Sequence, residues 1–253
     1  MMCIISPAKK LNFKTIALKD KTEVRFKSEM AELIKVLKTK KSSDLMKLMD
    51  ISKALGDLNA QRYKYFDTSM PENQCKQALF AFNGDVYQGL KADDFDPGDV
   101  KFSQDHLRIL SGLYGLLRPL DMIQEYRLEM GCGLQTPKAK DLYHYWGDKI
   151  SNLLKEDMKK AKDKILVNLA SEEYFSVIHT DQFKGNLIHI RFEERRQGNY
   201  QVISFSAKKA RGFMARYIIK NRLTDVKDLK NFSEEKYSYM PSRSTEDQYT
   251  FVR

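Results

Sequence analysis

The chain has 253 residues, 42% hydrophobic and 31% charged, enough for a large core in one big domain or two small ones. No apolar run reaches about 18 residues, and Met1 to Ser6 is broken too soon by Pro7 to act as a signal peptide, so a cytoplasmic protein with no membrane partner is expected. Its 44 Lys and Arg against 34 Asp and Glu leave a formal net charge of +10, which suits a nucleic-acid, nucleotide or acidic-surface partner, or solubility alone.

Cys3 to Ile5 reads as a short buried strand that breaks at Ser6-Pro7-Ala8-Lys9. Met30, Leu33, Ile34 and Leu37 fall at helical spacing and predict an amphipathic helix over Glu29 to Lys38, closed by lysines that complement its C-terminal dipole. Ser42 or Ser43 caps a second helix, Asp44 to Met49, and a third runs from Lys53 to Phe66. Residues 42–66 thus resemble a helix-hairpin-helix DNA-binding element that carries Arg62, with Met49 to Ser52 in place of the usual hairpin glycines. Two packed helices without a ligand fit the same spacing.

Ala78 to Phe82 is expected to be a strand, followed by a helical turn through Val86, Tyr87 and Leu90 and an acidic loop over Asp93 to Asp99. Leu107 to Leu110 is strand-like and leads into Gly112, Tyr114, Gly115 and Arg118, where the glycines hold backbone close to a neighbouring element or a ligand. A strand over Tyr126 to Met130 would put Arg127 and Glu129 on one face, as a local ion pair or as half of a polar site. A long helix is predicted over Ala139 to Ala161, carrying Trp146. Ile165 to Leu169 follows as a buried strand, with Ser171 as the N-cap of the next helix. Leu187 to Glu193 and Tyr200 to Phe205 form a hairpin over Gly198 and Asn199, and Tyr249 to Arg253 is strand-like. No repeat or domain boundary interrupts this order.

The run Ser206 to Gly212 places Lys208, Lys209 and Arg211 in the first turn of a predicted helix, where each cation loses about 0.3–1 kcal/mol against the helix dipole. On the helical wheel Ala207, Ala210, Met214, Tyr217 and Ile218 share the apolar face, and Lys209, Arg216 and Lys220 form an opposite, solvated stripe. Lys208 and Arg211 flank the apolar face, either to contact an anion or to snorkel over apolar surface. Cys3, Cys75 and Cys132 show no CxxC and read as reduced thiols. His106, His144, His179 and His189 lack metal-binding spacings, so neither a metal site nor a cofactor is expected.

Taken together, Ile5-Ser-Pro-Ala-Lys9, Phe82-Asn-Gly-Asp-Val-Tyr87, Leu110-Ser-Gly-Leu-Tyr-Gly-Leu-Leu-Arg-Pro-Leu-Asp121, Tyr126-Arg-Leu-Glu-Met-Gly131, Trp146-Gly-Asp148, Asn168-Leu-Ala-Ser-Glu-Glu-Tyr174 and Lys208-Lys-Ala-Arg-Gly212 resemble the YaaA family of bacterial peroxide-stress proteins. The likeness runs through the whole chain in the same order. It implies one compact domain, residues 1–253, of mixed α/β (α+β) class, with a mixed sheet flanked by helices, a basic cleft and the helix-hairpin-helix-like element. It also implies a role in limiting free-iron-driven damage during peroxide stress, and DNA binding. On this reading Lys9, Arg118, Arg127, Lys208 and Arg211 supply phosphate contacts, and Arg62 gives the hairpin a second footing. A different reading makes the chain an enzyme of unknown reaction. Lys9, Tyr114, Arg127, Glu129, Asn168, Ser171 and Lys208 would then form a pocket for a phosphorylated or carboxylated small molecule.

Overall fold

The computed structural model describes residues 1–14, 18–159 and 164–253. Its first strand, β1 (Met2–Ile5), is followed by helices α1 (Lys27–Leu37), α2 (Ser42–Met49) and α3 (Lys53–Tyr65). A short strand β2 (Lys76–Gln77) runs into α4 (Ala78–Ala81), α5 (Asp85–Leu90) and α6 (Pro97–His106). Then come β3 (Leu107–Ser111), β4 (Gly115–Leu117), β5 (Met122–Ile123), α7 (Leu142–Trp146), α8 (Lys149–Met158), β6 (Leu166–Leu169) and α9 (Glu172–Phe175). The chain closes with β7 (Leu187–Arg196), β8 (Asn199–Gln201), α10 (Ser204–Lys220), β9 (Ser238–Tyr239) and β10 (Gln248–Val252).

The main sheet has eight strands in the order β4-β3-β1-β6-β7-β10-β9, with β8 paired to β7. β3, β1, β6, β7 and β10 are parallel, and β4, β8 and β9 join antiparallel, so the single domain is α/β with a mixed sheet. β1, β3 and β6 are buried at every residue, as near-continuous apolar parallel strands require once helices cover the sheet.

This strand order places a crevice at one end of the sheet. From β1 the chain goes first to β3 on one side and later to β6 on the other, so the connections that leave β1 and β6 diverge. In open α/β sheets that divergence opens a crevice beyond the carboxyl ends of the two strands. Here it falls between Ser6–Lys10, after β1, and Ala170–Tyr174, after β6.

Several expected elements differ. Ala78–Ala81 is one turn of helix, because its first amides bond the Asp121 and Pro119 carbonyls instead of a sheet partner. Tyr126–Met130 joins no sheet: Tyr63 donates its hydroxyl to the Arg127 carbonyl, and Gly112 lies so close to Leu128 that an added Cβ would come 2.4 Å from its oxygen. The expected long helix is two, broken at Gly147 with φ +46, a left-handed value few side chains accept. Its predicted end at Ala161 lies outside the described residues.

The acidic loop is partly helical. Asp96 and Asp99 form a capping box at the start of α6, and buried Asp99 receives Lys220 at 2.7 Å and Arg222 at 2.6 Å. Burial alone would raise the Asp99 carboxyl, but the hydrogen bonds from Lys220 and Arg222 outweigh it and hold it below the usual carboxylate range. Arg216 grips Asp94 with two nitrogens, at 2.6 and 2.9 Å. Two cations of the stripe expected to be solvated, Arg216 and Lys220, therefore tie α10 to the acidic segment.

Candidate functional site

Three segments converge on the crevice. Ser6–Lys10 is held down by the Asn83 amide on the Lys10 carbonyl (2.9 Å), by the Tyr87 hydroxyl on the Ser6 carbonyl (3.2 Å), and by Gly84, whose added Cβ would approach the Ala8 Cβ to 2.9 Å. On the β6 side, Asn168 ends the strand by accepting the Ala170 amide at 2.8 Å, while its Nδ2 lies 3.2 Å from His189 Nδ1. That turn brings Ser171 onto Ser6: the Ser171 amide donates to Ser6 Oγ at 2.9 Å, and the two hydroxyls are 3.2 Å apart. Ser171 occupies the N-cap position of α9 without a side-chain cap bond, because its hydroxyl is engaged with Ser6 instead.

The third segment is α10. It starts at Ser204, before the Ser206 the sequence suggests, so Lys208 and Lys209 lie in its second turn and Arg211 just beyond. The dipole penalty fades over the first turn, and the charge conflict expected from sequence is correspondingly small. α10 lies against α5 almost backbone to backbone. A Cβ on Gly212 would sit 1.9 Å from the Val86 carbonyl oxygen, and one on Gly89 would sit 2.2 Å from that of Lys209. This contact fixes the height at which Lys208 and Arg211 overhang the crevice.

The resulting cleft has a volume of about 380 Å³, and Lys9, Lys10, Ser171, Glu173, Lys208 and Arg211 are among its lining residues. Lys208 is exposed and Arg211 half-buried. Arg211 has no carboxylate partner among the described residues, and burial alone lowers its pKa from the ordinary arginine value. Such a guanidinium is solvated poorly and has no acidic partner among the described residues, which is the condition under which an incoming anion gains most.

Glu129 enters the site through Lys9. Its Oε1 accepts Lys9 Nζ at 2.9 Å and Arg127 Nη2 at 3.0 Å, and the Cys132 thiol approaches Oε2 at 3.7 Å. Burial would raise this carboxyl, but the Lys9 hydrogen bond and the Arg127 charge hold it below the usual range. Arg127 and Glu129 are thus a local pair that supports Lys9. Arg127 Nε is buried without a hydrogen-bond partner among the described residues.

The other candidates lie elsewhere. Tyr114 is buried, with its hydroxyl accepting the Gln124 amide at 3.0 Å. Arg118 is committed to fully buried Asp121 at 2.9 Å and to the Glu23 carbonyl, and Arg62 to Glu125 at 3.2 Å. None of these three, nor Asn168, is among the cleft-lining residues. The glycines at Gly112 and Gly115 serve neighbouring elements: Gly112 accepts the Trp146 indole N–H at 3.0 Å, and Gly115, at φ +68, abuts the Trp146 ring. Sequence reasoning left Ser6, Lys10 and Tyr87 out of the site. The signal for Ser6 and Tyr87 was that each belongs to a motif holding the β1 loop.

The thiols offer little nucleophilic character. Burial pushes Cys3 and Cys132 up to about 12 and Cys75 to about 11, with Glu129 adding to the shift at Cys132. Among the described residues, no group of three or more His, Cys, Asp or Glu is positioned for a metal ion, and no helix is long and apolar enough to cross a membrane.

Residues 1–243 match the family described as "Peroxide stress protein YaaA". The chain belongs to the YaaA family. Its relatives include a UPF0246 protein of Acaryochloris marina, 49% identical over the full length of both chains. A UPF0246 protein of Polynucleobacter necessarius is 45% identical over all of this chain and 98% of its own, and one of Alteromonas mediterranea is 44% identical with the same coverage. Four of the motifs that carry the YaaA resemblance, Ile5–Lys9, Phe82–Tyr87, Asn168–Tyr174 and Lys208–Gly212, contribute residues to the crevice.

Proposed function

We propose that this YaaA-family chain acts in peroxide stress as a phosphate-binding protein, with the phosphate seated between the Ser6–Lys10 loop and Lys208 and Arg211. The observation that carries the reading is Arg211, half-buried, without a carboxylate partner among the described residues and lining a crevice at the switch point of the sheet. A volume of about 380 Å³ suits a small phosphorylated molecule and is too small to enclose a DNA duplex, whose major groove alone is about 12 Å wide. The reading assigns reduced iron-driven damage to the bound ligand. In cells lacking this protein, the wild-type chain is expected to restore growth in peroxide and the Lys208→Ala/Arg211→Ala chain, at equal abundance, is not. Full rescue by the double variant would remove the cleft from the function.

DNA binding is a second reading, favoured by the +10 net charge and by the α2–α3 hairpin, where Gly56 packs within 2.7 Å of Met46 Cγ if given a Cβ. DNA would then rest on the outer surface with Arg62 at the hairpin, and a phosphate would reach the cleft only at a strand end or a distorted site. Duplex affinity should fall with salt with a log–log slope near 0.9 per phosphate contacted. An affinity unchanged between low and physiological salt removes this reading.

A further inference from the structure

We infer that the cleft selects a phosphorylated sugar, with Glu173 accepting hydrogen bonds from its hydroxyls; this rests on the phosphate-binding reading above. Glu173 lines the cleft together with Lys208 and Arg211. Its position is fixed twice: Oε1 accepts the Gly131 amide at 3.1 Å, and its backbone carbonyl accepts the Tyr143 hydroxyl at 2.8 Å. A side chain at residue 131 would crowd that carboxylate, since an added Cβ would lie 3.2 Å from Oε1. The second oxygen, Oε2, has no donor among the described residues.

A carboxylate that served only to neutralise lysines would pair with one, as Glu129 does with Lys9 at 2.9 Å. Glu173 is exposed at the mouth of the cleft, in the first turn of α9, and keeps one acceptor open to solvent or to a ligand. A phosphate alone gains nothing from that carboxylate, whereas a ligand that also carries a donor on that side gains a hydrogen bond. Charge decides which donor. The cleft is lined by four cations, Lys9, Lys10, Lys208 and Arg211, against two carboxylates, Asp85 and Glu173, an excess that a phosphate dianion neutralises. An ammonium on the ligand would restore the excess, whereas sugar hydroxyls donate without changing the charge. Vicinal hydroxyls on a ribose would make with one carboxylate the contact that a conserved acid makes to ribose in dinucleotide sites.

The same chemistry is available from a free sugar phosphate and from a nucleoside monophosphate, so calorimetric titration should compare inorganic phosphate, ribose 5-phosphate, adenosine 5′-monophosphate and ribose. Ribose 5-phosphate is expected to bind about tenfold or more tighter than phosphate, and ribose alone not measurably. A further gain with the monophosphate would assign the nucleotide as the source, and equal or weaker binding would assign the free sugar phosphate. Glu173→Gln keeps an acceptor for the Gly131 amide. It should erase most of the sugar's advantage while leaving phosphate affinity equal or higher, with unaltered circular dichroism as the fold control. Equal affinity of phosphate and ribose 5-phosphate, or an advantage that survives Glu173→Gln, overturns the inference and leaves the phosphate reading standing. If none of the phosphorylated ligands binds, both fall.

Discussion

Gly212→Ala is expected to destabilise the protein by about 3 kcal/mol or more, although helix propensity alone predicts a gain of about 1 kcal/mol from replacing a mid-helix glycine. The sign is set by the neighbour. The new methyl would sit 1.9 Å from the Val86 carbonyl oxygen and 2.9 Å from the Leu90 amide, both backbone atoms of α5 that no rotamer change can move. α10 would have to lift away from α5. Since Lys208 and Arg211 ride on α10, the same shift should weaken ligand binding before the protein unfolds. For a chain of this size the midpoint should fall by roughly 6–12 °C. Thermal unfolding followed by circular dichroism checks it, and a melting point equal to or above wild type would show that the close approach of the two helices has been misread.

The second large effect is on binding. Arg211→Ala should weaken phosphate affinity at least about tenfold, since a hydrogen bond to a charged group contributes about 1.5–3 kcal/mol. Arg211→Lys should fall between wild type and Arg211→Ala, because lysine keeps the charge and loses the planar fork. Lys208 stands at the exposed rim, where solvent screens it, so Lys208→Ala should cost less. Arg118→Ala provides the contrast: it should leave phosphate affinity unchanged yet lower stability, because fully buried Asp121 loses its cation. Equal binding by wild type and Arg211→Ala, or a loss at Arg118→Ala matching that at Arg211→Ala, would contradict this placement.

Much of the frame is legible in sequence because it is written in local pattern. Met30, Leu33, Ile34 and Leu37 are buried on α1 as their spacing predicts, and the apolar runs at Cys3–Ile5, Leu107–Leu110 and Ile165–Leu169 fall in or beside β1, β3 and β6. Segments set by distant partners are not legible in this way. Tyr126–Met130 has the residues of a strand, but Tyr63, 64 positions away from Arg127, claims its backbone. The break at Gly147 depends on a backbone angle that a glycine permits without announcing.

The site shows the same division. Lys208 and Arg211 could be singled out by their positions on a helical wheel, and Lys9 and Ser171 by their motifs. Their convergence could not, because Ser6 and Ser171 are 165 positions apart and meet only through the strand order that sets β6 beside β1. Arg118 and Arg62 belong to equally suggestive sequence contexts, and only their three-dimensional placement, against Asp121 and Glu125 and away from the cleft lining, sets them apart.

The central claim is that an anion is held between the β1 loop and α10. Titration of inorganic phosphate into the isotope-labelled protein, followed by amide and arginine side-chain NMR, tests it most directly. The predicted result is saturable shifts at Ser6–Lys10, Ser171 and Lys208–Arg211, including the Arg211 guanidinium. Shifts confined to the α2–α3 hairpin around Arg62, or no saturable shift at phosphate concentrations that saturate ordinary phosphate sites, would contradict it.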